Sequence, residues 1–439
     1  MSNPLRVVFR IPELRDKILF TLGMLAVYRL GAHVVVPGVD VAALQSFAGQ
    51  LNNTLFGIYN MFVGGGLSRA TVFALGIMPY ISASIVFQLL AAVFPTIERM
   101  QKEGPEGRQR LNQYTRYLTV GLAAVQAYGY ALFLESVPGA VPRSGWGFRL
   151  LMVLCLTTGA VFVMWLGERI TERGIGNGMS LLIFFSIVER LPADLVQLGE
   201  LVRLGEVTVL ELLAIAGLFV LVTAAAVAAI LAMRRIPIQI PRKVLGRGRI
   251  REGQKSFIPI RLNTAGVMPI VFAQSIIVVP GTFATLSKSE TLRTVGSWFQ
   301  YETMPYYVIF VALIILFTYF YTAIVFNPND LAESLKKQGA FVPGVKPGQR
   351  TADYIDGVLS RVSLPGALFL AAVAIVPQVV LNALGVPFLG NVLAGTGLLI
   401  VVGVALDTMN QVQQHLLLRR YEGFMRRGRI TYRGRQRLF

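Results

Sequence analysis

The sequence predicts an all-α polytopic membrane protein of ten transmembrane helices arranged in two sets of five. Three observations carry this prediction. The chain of 439 residues is 54% hydrophobic and 15% charged, whereas a soluble domain carries closer to about 25% charged residues. Uncharged apolar runs recur along it, and about 20 such residues are enough to cross a bilayer. A short motif also occurs twice, almost half a chain apart: Gly76-Ile77-Met78-Pro79-Tyr80-Ile81 and Gly266-Val267-Met268-Pro269-Ile270-Val271. Each copy begins a few residues beyond an arginine, Arg69 or Arg261. Each puts a proline inside a long apolar run, where it is expected to remove a backbone hydrogen bond and kink a helix. Two structural halves meeting at a central site near the midplane give this pattern.

The spans follow in order. The N-terminus is polar and holds Arg6, Arg10, Arg15 and Lys17, so no cleavable signal peptide is expected. Span 1 is read at Ile18 to Val36. The stretch Phe56 to Gly66 is too apolar for a surface loop, with Phe56, Tyr59, Met61, Phe62 and Val63. Asn52, Asn53 and Asn60 and the run Gly64-Gly65-Gly66 make it too polar and too broken for a lipid-facing helix. It reads as a re-entrant element, tolerated at membrane depth only when buried in protein or lining a cavity. Span 2 is Ala70 to Pro95, span 3 Tyr117 to Leu134, and span 4 Leu150 to Leu166. Span 5 is short, Gly178 to Val188. Span 6 is Leu212 to Met233, span 7 Leu262 to Leu286, and span 8 Tyr306 to Phe326. Val362 to Leu406 is uncharged and too long for one helix. It is expected to break near Gly385-Val386-Pro387 and Gly390-Asn391 into spans 9 and 10.

Orientation follows from lysine and arginine in the connections. Most of the 41 fall in the N-terminus, loops 2–3, 4–5, 6–7 and 8–9, and the tail; the opposite side holds Arg69, Arg143, Arg149, Arg190, Arg203, Lys288 and Arg293. Both termini are therefore expected in the cytoplasm. The N-terminal half is read at 1–190, an external hinge loop at 191–209 and the C-terminal half at 210–439. Loops 234–261 and 327–361 and the tail 418–439 are longer and more basic than helix connections require. The loops suggest docking of an acidic partner, either nucleic acid or an acidic protein surface; for the tail, lipid headgroups are an equal alternative.

Several classes are excluded or disfavoured. The lone Cys155 rules out an intramolecular disulfide framework. The histidines are His33 and His415, and neither HExxH nor a Walker motif is present, so no protease centre, metal site or cofactor is expected and energy must come from a partner. A secondary transporter would also show repeats and broken helices, but usually places ionisable residues at the midplane. Apart from Arg29 the spans are poor in them. An intramembrane charge is normally a functional flag, yet Arg29 suggests no role beyond pairing with a neighbouring helix or a partner subunit.

GIMPYISASIVFQLL (Gly76 to Leu90), ITERGIGNGMSLLIF (Ile170 to Phe184) and PGVKPGQRTADYI (Pro343 to Ile355) resemble the bacterial SecY protein-translocation channels, and the resemblance runs from span 1 through the tail. It implies a clam-shell of helices 1–5 and 6–10, inverted relative to one another, in the bacterial cytoplasmic (inner) membrane. It implies a passive channel that passes unfolded secretory polypeptides and releases signal sequences and transmembrane segments laterally into lipid. It places a pore ring at Ile77, Ile81, Ile183, Ile187, Val271 and Ile400. Each isoleucine pair, at i and i+4, shares a helix face, and Val271 is smaller than the isoleucine expected. The resemblance places a plug at about 56–65, with Phe56, Tyr59, Met61 and Phe62 on it and Gly64, Gly65 and Gly66 as its hinge. Ser82, Ser84, Gln88, Gln126, Gln274 and Ser275 would lie on the lateral gate. Arg242, Lys243, Arg247, Arg249, Arg251, Lys346 and Arg350 would dock the ribosome and the SecA motor ATPase. The family carries arginine where Lys346 stands, and lysine lacks the planar bidentate fork. The partners implied are SecE and SecG, SecA, the ribosome, signal sequences and precursor chains, membrane lipids, YidC and SecDF.

Overall fold

The structure, a computed structural model, describes residues 11–50, 60, 63–239, 243–245, 249–251, 255–262, 266–274, 276–277, 303–384, 386 and 396–430. The helices are α1 (Pro12–Gly31), α2 (Val41–Gln50), α3 (Met78–Val93), α4 (Pro95–Lys102), α5 (Pro105–Ser136), α6 (Trp146–Arg173), α7 (Gly178–Leu204) and α8 (Val209–Leu231), followed by α9 (Met304–Val325), α10 (Pro328–Lys337), α11 (Gln349–Ala383) and α12 (Thr396–Ile430). Residues 268–274 and 276–277 are also helical. Among the described residues five helices are long and apolar enough to cross a membrane: α5, α6, α8, α11 and the one that begins at Met304. A sixth is added if the pair Met78–Ala91 and Pro95–Gln101, bent by 110°, counts as one. The other predicted spans map to α1, α7, α12 and the helical residues of 268–277.

Four boundaries depart from the sequence reading. The outer end of span 1 is not helical: α1 stops at Gly31, and Val35 forms a β-bridge with Thr71. Span 2 begins as a chain of turns over 63–77, and its helix starts only at Met78. Gly76 (φ +54°) and Gly266 (φ +65°) both take the left-handed conformation that glycine accepts without a Cβ clash, and a helix follows each two residues later. The prolines of the duplicated motif therefore occupy the first helical turn, where a missing N–H costs nothing, rather than kinking a helix interior. The predicted hinge loop 191–209 shrinks to 205–208, because α7 continues to Leu204. Charges at Glu189, Arg190 and Asp194 end the apolar run, but Leu191, Leu198, Leu201 and Val202 keep helical spacing. Leu198, Leu201 and Val202 pack with Val207, Ile215, Leu381 and Val386, and Leu191 packs against the large central cluster. Gly205 then closes α7 in the left-handed region (φ +77°), and Thr208 with Glu211 forms a reciprocal capping box that opens α8.

The fold is all-α as expected, with one small addition: the described residues of loop 6–7 form a β-ribbon. β1 (Met233–Gln239) pairs antiparallel with β4 (Lys255–Arg261), in register from Met233 with Arg261 to Gln239 with Lys255; β2 (Lys243–Leu245) pairs with β3 (Arg249–Arg251). Ile236 and Ile260 turn inward against Leu335, Val342, Ile355 and Leu359 of loop 8–9 and α11. Gln239 and Phe341 exchange backbone hydrogen bonds of 2.9 and 3.0 Å. The two long basic loops are thus one folded unit.

The GIGNG turn between α6 and α7 shows why its residues are small and polar. Asn177 Oδ1 accepts from the N–H groups of Met179 and Ser180 and so caps α7. Thr171 Oγ1 accepts from Gly178 N–H, and Thr21 Oγ1 of α1 accepts from Ile175 N–H. A Cβ on Gly178 would fall 2.0 Å from the Gly167 carbonyl oxygen. Across the two halves, Gly176 N–H donates to Gln411 Oε1 of α12 at 2.9 Å.

Candidate functional site

The site is built where the first halves of α3 and of the helical residues 268–277 meet α7 and α12. Ile77 caps the N-terminus of α3, and Ile81 N–H donates to its carbonyl at 3.1 Å. Val271 N–H makes the equivalent bond to Val267 at 3.3 Å, so the two motif copies repeat their backbone geometry. Ile183 and Ile187 lie on α7 and Ile400 on α12. All six predicted ring residues are buried, none more than 9% exposed, and all belong to one hydrophobic cluster that joins both halves. Gly403 brings α12 close to the 268–277 helix: a Cβ there would meet Val267 Cγ2 at 2.5 Å. The six side chains are all aliphatic and offer no hydrogen-bonding group.

The 63–77 turn chain, whose Phe73 and Ile77 belong to this cluster, is held on four sides. Tyr130 of α5 donates to the Leu67 carbonyl at 2.5 Å. Gly159 of α6 lets the Val72 carbonyl approach so closely that a Cβ would lie 1.9 Å from its oxygen. Gly31 of α1 faces Phe73, which stacks on Tyr28 and Phe162 with centroids 5.8 Å away in each case. Gly64 (φ +66°) rests on α7 beside Ser186 and Glu189. Asn60, itself buried, accepts from Ser68 N–H through its side chain and from Gly65 N–H through its carbonyl. Gly64, Gly65 and Gly66 are all buried. Phe56, Tyr59, Met61 and Phe62 lie outside the described residues.

The gate residues divide. Ser84 and Gln88 bond to each other along α3 at 3.2 Å, and Ser82, two residues before Ser84, is half-buried. Gln126 Oε1 and Gln274 Oε1 are buried with no hydrogen-bond partner among the described residues, and Ser275 lies outside them. Of the docking residues, Lys346 and Arg350 are exposed, and the Lys346 carbonyl accepts from Thr351 Oγ1 at 2.9 Å. Lys243, Arg249 and Arg251 lie on β2 and β3, while Arg242 and Arg247 fall outside the described residues.

The pairing of Arg29 with a neighbouring helix was expected, and the structure supplies the partner the sequence reading could not name, Glu189 of α7. A polar cavity of about 390 Å³ escaped that reading; it is lined by Asn177, Ser180, Arg261, Asp407, Gln411 and Gln414 among others.

Comparison with known proteins now decides the family. The SecY family model matches residues 71–409. The chain belongs to the SecY family. It is 46% identical over 435 residues to the protein translocase subunit SecY of Thermus thermophilus, covering 98% of both chains, and 42% identical over 433 residues to that of Aquifex aeolicus, covering 97% of this chain and all of the relative. Among solved structures, a SecY channel described by its plug domain superposes with a TM-score of 0.63 at 17% identity, covering 94% of this chain and 97% of that one. Sec61 in the canine ribosome–channel complex gives 0.59 at 16% identity, with the same coverages. The fold is therefore that of the protein-conducting channels, and family membership makes the chain a pore-forming translocase subunit rather than a transporter.

Proposed function

We propose that the six-residue apolar cluster is the constriction through which unfolded polypeptides pass, with the 63–77 turn chain anchoring a plug on its outer side. The observation that carries this reading is the burial of Ile77, Ile81, Ile183, Ile187, Val271 and Ile400 in one cluster drawn from both halves. An apolar ring seals against ions and grips any chain without preference, because it offers no polar group to be matched. α3 and α5 on one side and the 268–277 helix and α9 on the other form the lateral gate, where signal sequences and transmembrane segments leave for lipid. The unpartnered Gln126 and Gln274 suit a seam that exchanges partners on opening. The ribbon and loop 8–9 form one basic docking unit on the cytoplasmic face for the ribosome and SecA. One structural neighbour is the Sec61 channel in a ribosome complex, which supports the ribosome reading. SecE and SecG complete the complex in the bacterial inner membrane, with both termini inside, and YidC and SecDF act beside it. The subunit itself has no catalytic role; SecA or the ribosome supplies the energy.

Reconstitution with SecE and SecA tests this. A radiolabelled unfolded precursor should become protease-protected inside proteoliposomes when ATP is added. Protection that is absent with ATP, or equal without it, would remove the channel reading.

A further inference from the structure

The pair Arg29–Glu189 is not required by the fold. Glu189 is 10% exposed and Arg29 37%, so the carboxylate is largely desolvated and the guanidinium partly so. Removing two charges from water costs much of what their attraction returns, and an apolar pair of similar volume would usually hold two helices equally well. Its position suggests a different use. On α7, Ser186 and Glu189 are three residues apart and share a face. Ser186 Oγ accepts from Tyr28 O–H at 2.8 Å while donating to the Leu182 carbonyl at 2.9 Å, and Glu189 pairs with the next α1 residue, Arg29. Two polar ties therefore fasten α1 to α7 side by side. On that fastened patch rests Gly64: a Cβ there would lie 3.5 Å from Ser186 Cα and 3.6 Å from Glu189 Oε2. Ile187, a ring residue, sits between the two ties.

We propose that Glu189 is a positioning residue of the outer seal, and that its pair with Arg29 couples the seat of the 63–70 turn to the dryness of the channel. The inference rests on the reading of the turn chain as the plug's anchor. In the closed, dry channel neither charge can stand alone at low dielectric, so the pair holds α7 against α1 and keeps the shelf under Gly64 in place. When the channel fills with water each charge is solvated separately and the pair loses its hold. The interaction thus favours the closed state selectively, and a contact can shift an equilibrium only by such a difference between its states.

The test is a cycle of Glu189→Gln, Arg29→Gln and the double variant, each reconstituted with SecE and read by resting ion conductance of proteoliposomes. Each single variant leaves one desolvated charge unpaired in the closed state and should leak several-fold more than wild type. The double variant carries two neutral amides and should leak less than either single variant. Single variants that leak like wild type would overturn the inference. So would a double variant whose increase is the product of the two, because the residues would then act independently. Glu189→Asp keeps the charge on a shorter stem and should fall between wild type and Glu189→Gln. It also keeps the test open should a glutamine variant fail to assemble, since a wild-type leak from the aspartate would then overturn the inference. Deletion of 56–63 is run in parallel. If that deletion leaves the leak unchanged, the plug reading fails; if it raises the leak and the cycle shows no coupling, only the role of Glu189 fails.

Discussion

Ile81 and Ile400 come from opposite halves and are 9% and 3% exposed. Replacing both with asparagine puts amide groups into the constriction, where water can satisfy them, so the ring should wet. Resting conductance of proteoliposomes should rise, and signal sequences too weak for the wild type should be accepted, because a less stable closed state needs less differential binding energy to open. Leak equal to wild type would remove these residues from the ring. Gly159 makes a stability prediction at the same scale. A Cβ there meets the Val72 carbonyl at 1.9 Å, and backbone cannot swing aside as a side chain can. Gly159→Ala should therefore destabilise by about 1–3 kcal/mol, the usual cost of overpacking. Gly129 has open space at its Cβ position in α5, and Gly129→Ala should hold or raise the melting temperature, since alanine favours helix. Equal melting temperatures for the two variants in detergent would argue against the packing of α6 on the turn chain.

The elements show what the sequence could and could not tell. Spans 3, 4, 6 and 8 were legible because apolar length alone determines them: spans 3 and 4 fall within α5 and α6, and spans 6 and 8 overrun the ends of α8 and α9 by two residues and one. That the six predicted ring residues come together in one buried cluster was legible from the family resemblance and the duplicated motif together. The ribbon was missed because loop 6–7 was read for its charge. Its alternation, Ile236 and Ile238 on β1 with Ile258 and Ile260 on β4, was present but interrupted by Pro237 and Pro259, which argue against a strand until they are seen on an isolated two-stranded ribbon. The partner of Arg29 was invisible because Glu189 lies far away in sequence and only the fold joins them. The ribbon carries its own prediction. Arg247, Arg249 and Arg251 replaced by glutamate should weaken ribosome binding, and wild-type binding should fall steeply with salt as counterions are released. Salt-independent binding, or full binding by the variant, would show that the ribbon is not the electrostatic contact. At the outer face Glu135 accepts from Arg149 at 2.7 Å and from Gly145 N–H at 3.2 Å, pinning the 137–145 connection. The Arg149 guanidinium holds the Glu135 carboxyl below its ordinary value of 4.5. Its contribution should be complete above that value and lost as the external pH falls through the lower folded value. Protease nicking of the connection should rise in that acid window for wild type and be pH-independent for Glu135→Gln.

At the scale of the whole molecule, the proposed mechanism requires the two halves to part, and the proposed gate helices are where that can be tested. On the proposed orientation α3 runs from the outer side inward and the helical residues 268–274 from the inner side outward, antiparallel to it, and Ile81 and Val271 lie in the same buried cluster. The outer end of α3 should therefore lie beside Gln274, and Ile85 beside the start of the other helix. Cys155 is the only native thiol, so Cys155→Ser gives a cysteine-free background. Cysteine pairs scanned across 78–85 and 267–274 should include at least one that forms a disulfide, which needs Cα atoms closer than about 7 Å. Locking that pair should stop precursor transport, and reduction should restore it; a long flexible crosslinker should permit part of it. The hydrogen bond from Gly176 N–H to Gln411 lies at the far, inner end of the same seam. If the halves pivot apart at the gate, Gln411→Ala should change transport far less than the disulfide does. Should every efficiently locked gate pair still pass precursor at the wild-type rate, the moving seam lies elsewhere and the clam-shell mechanism is wrong for this protein.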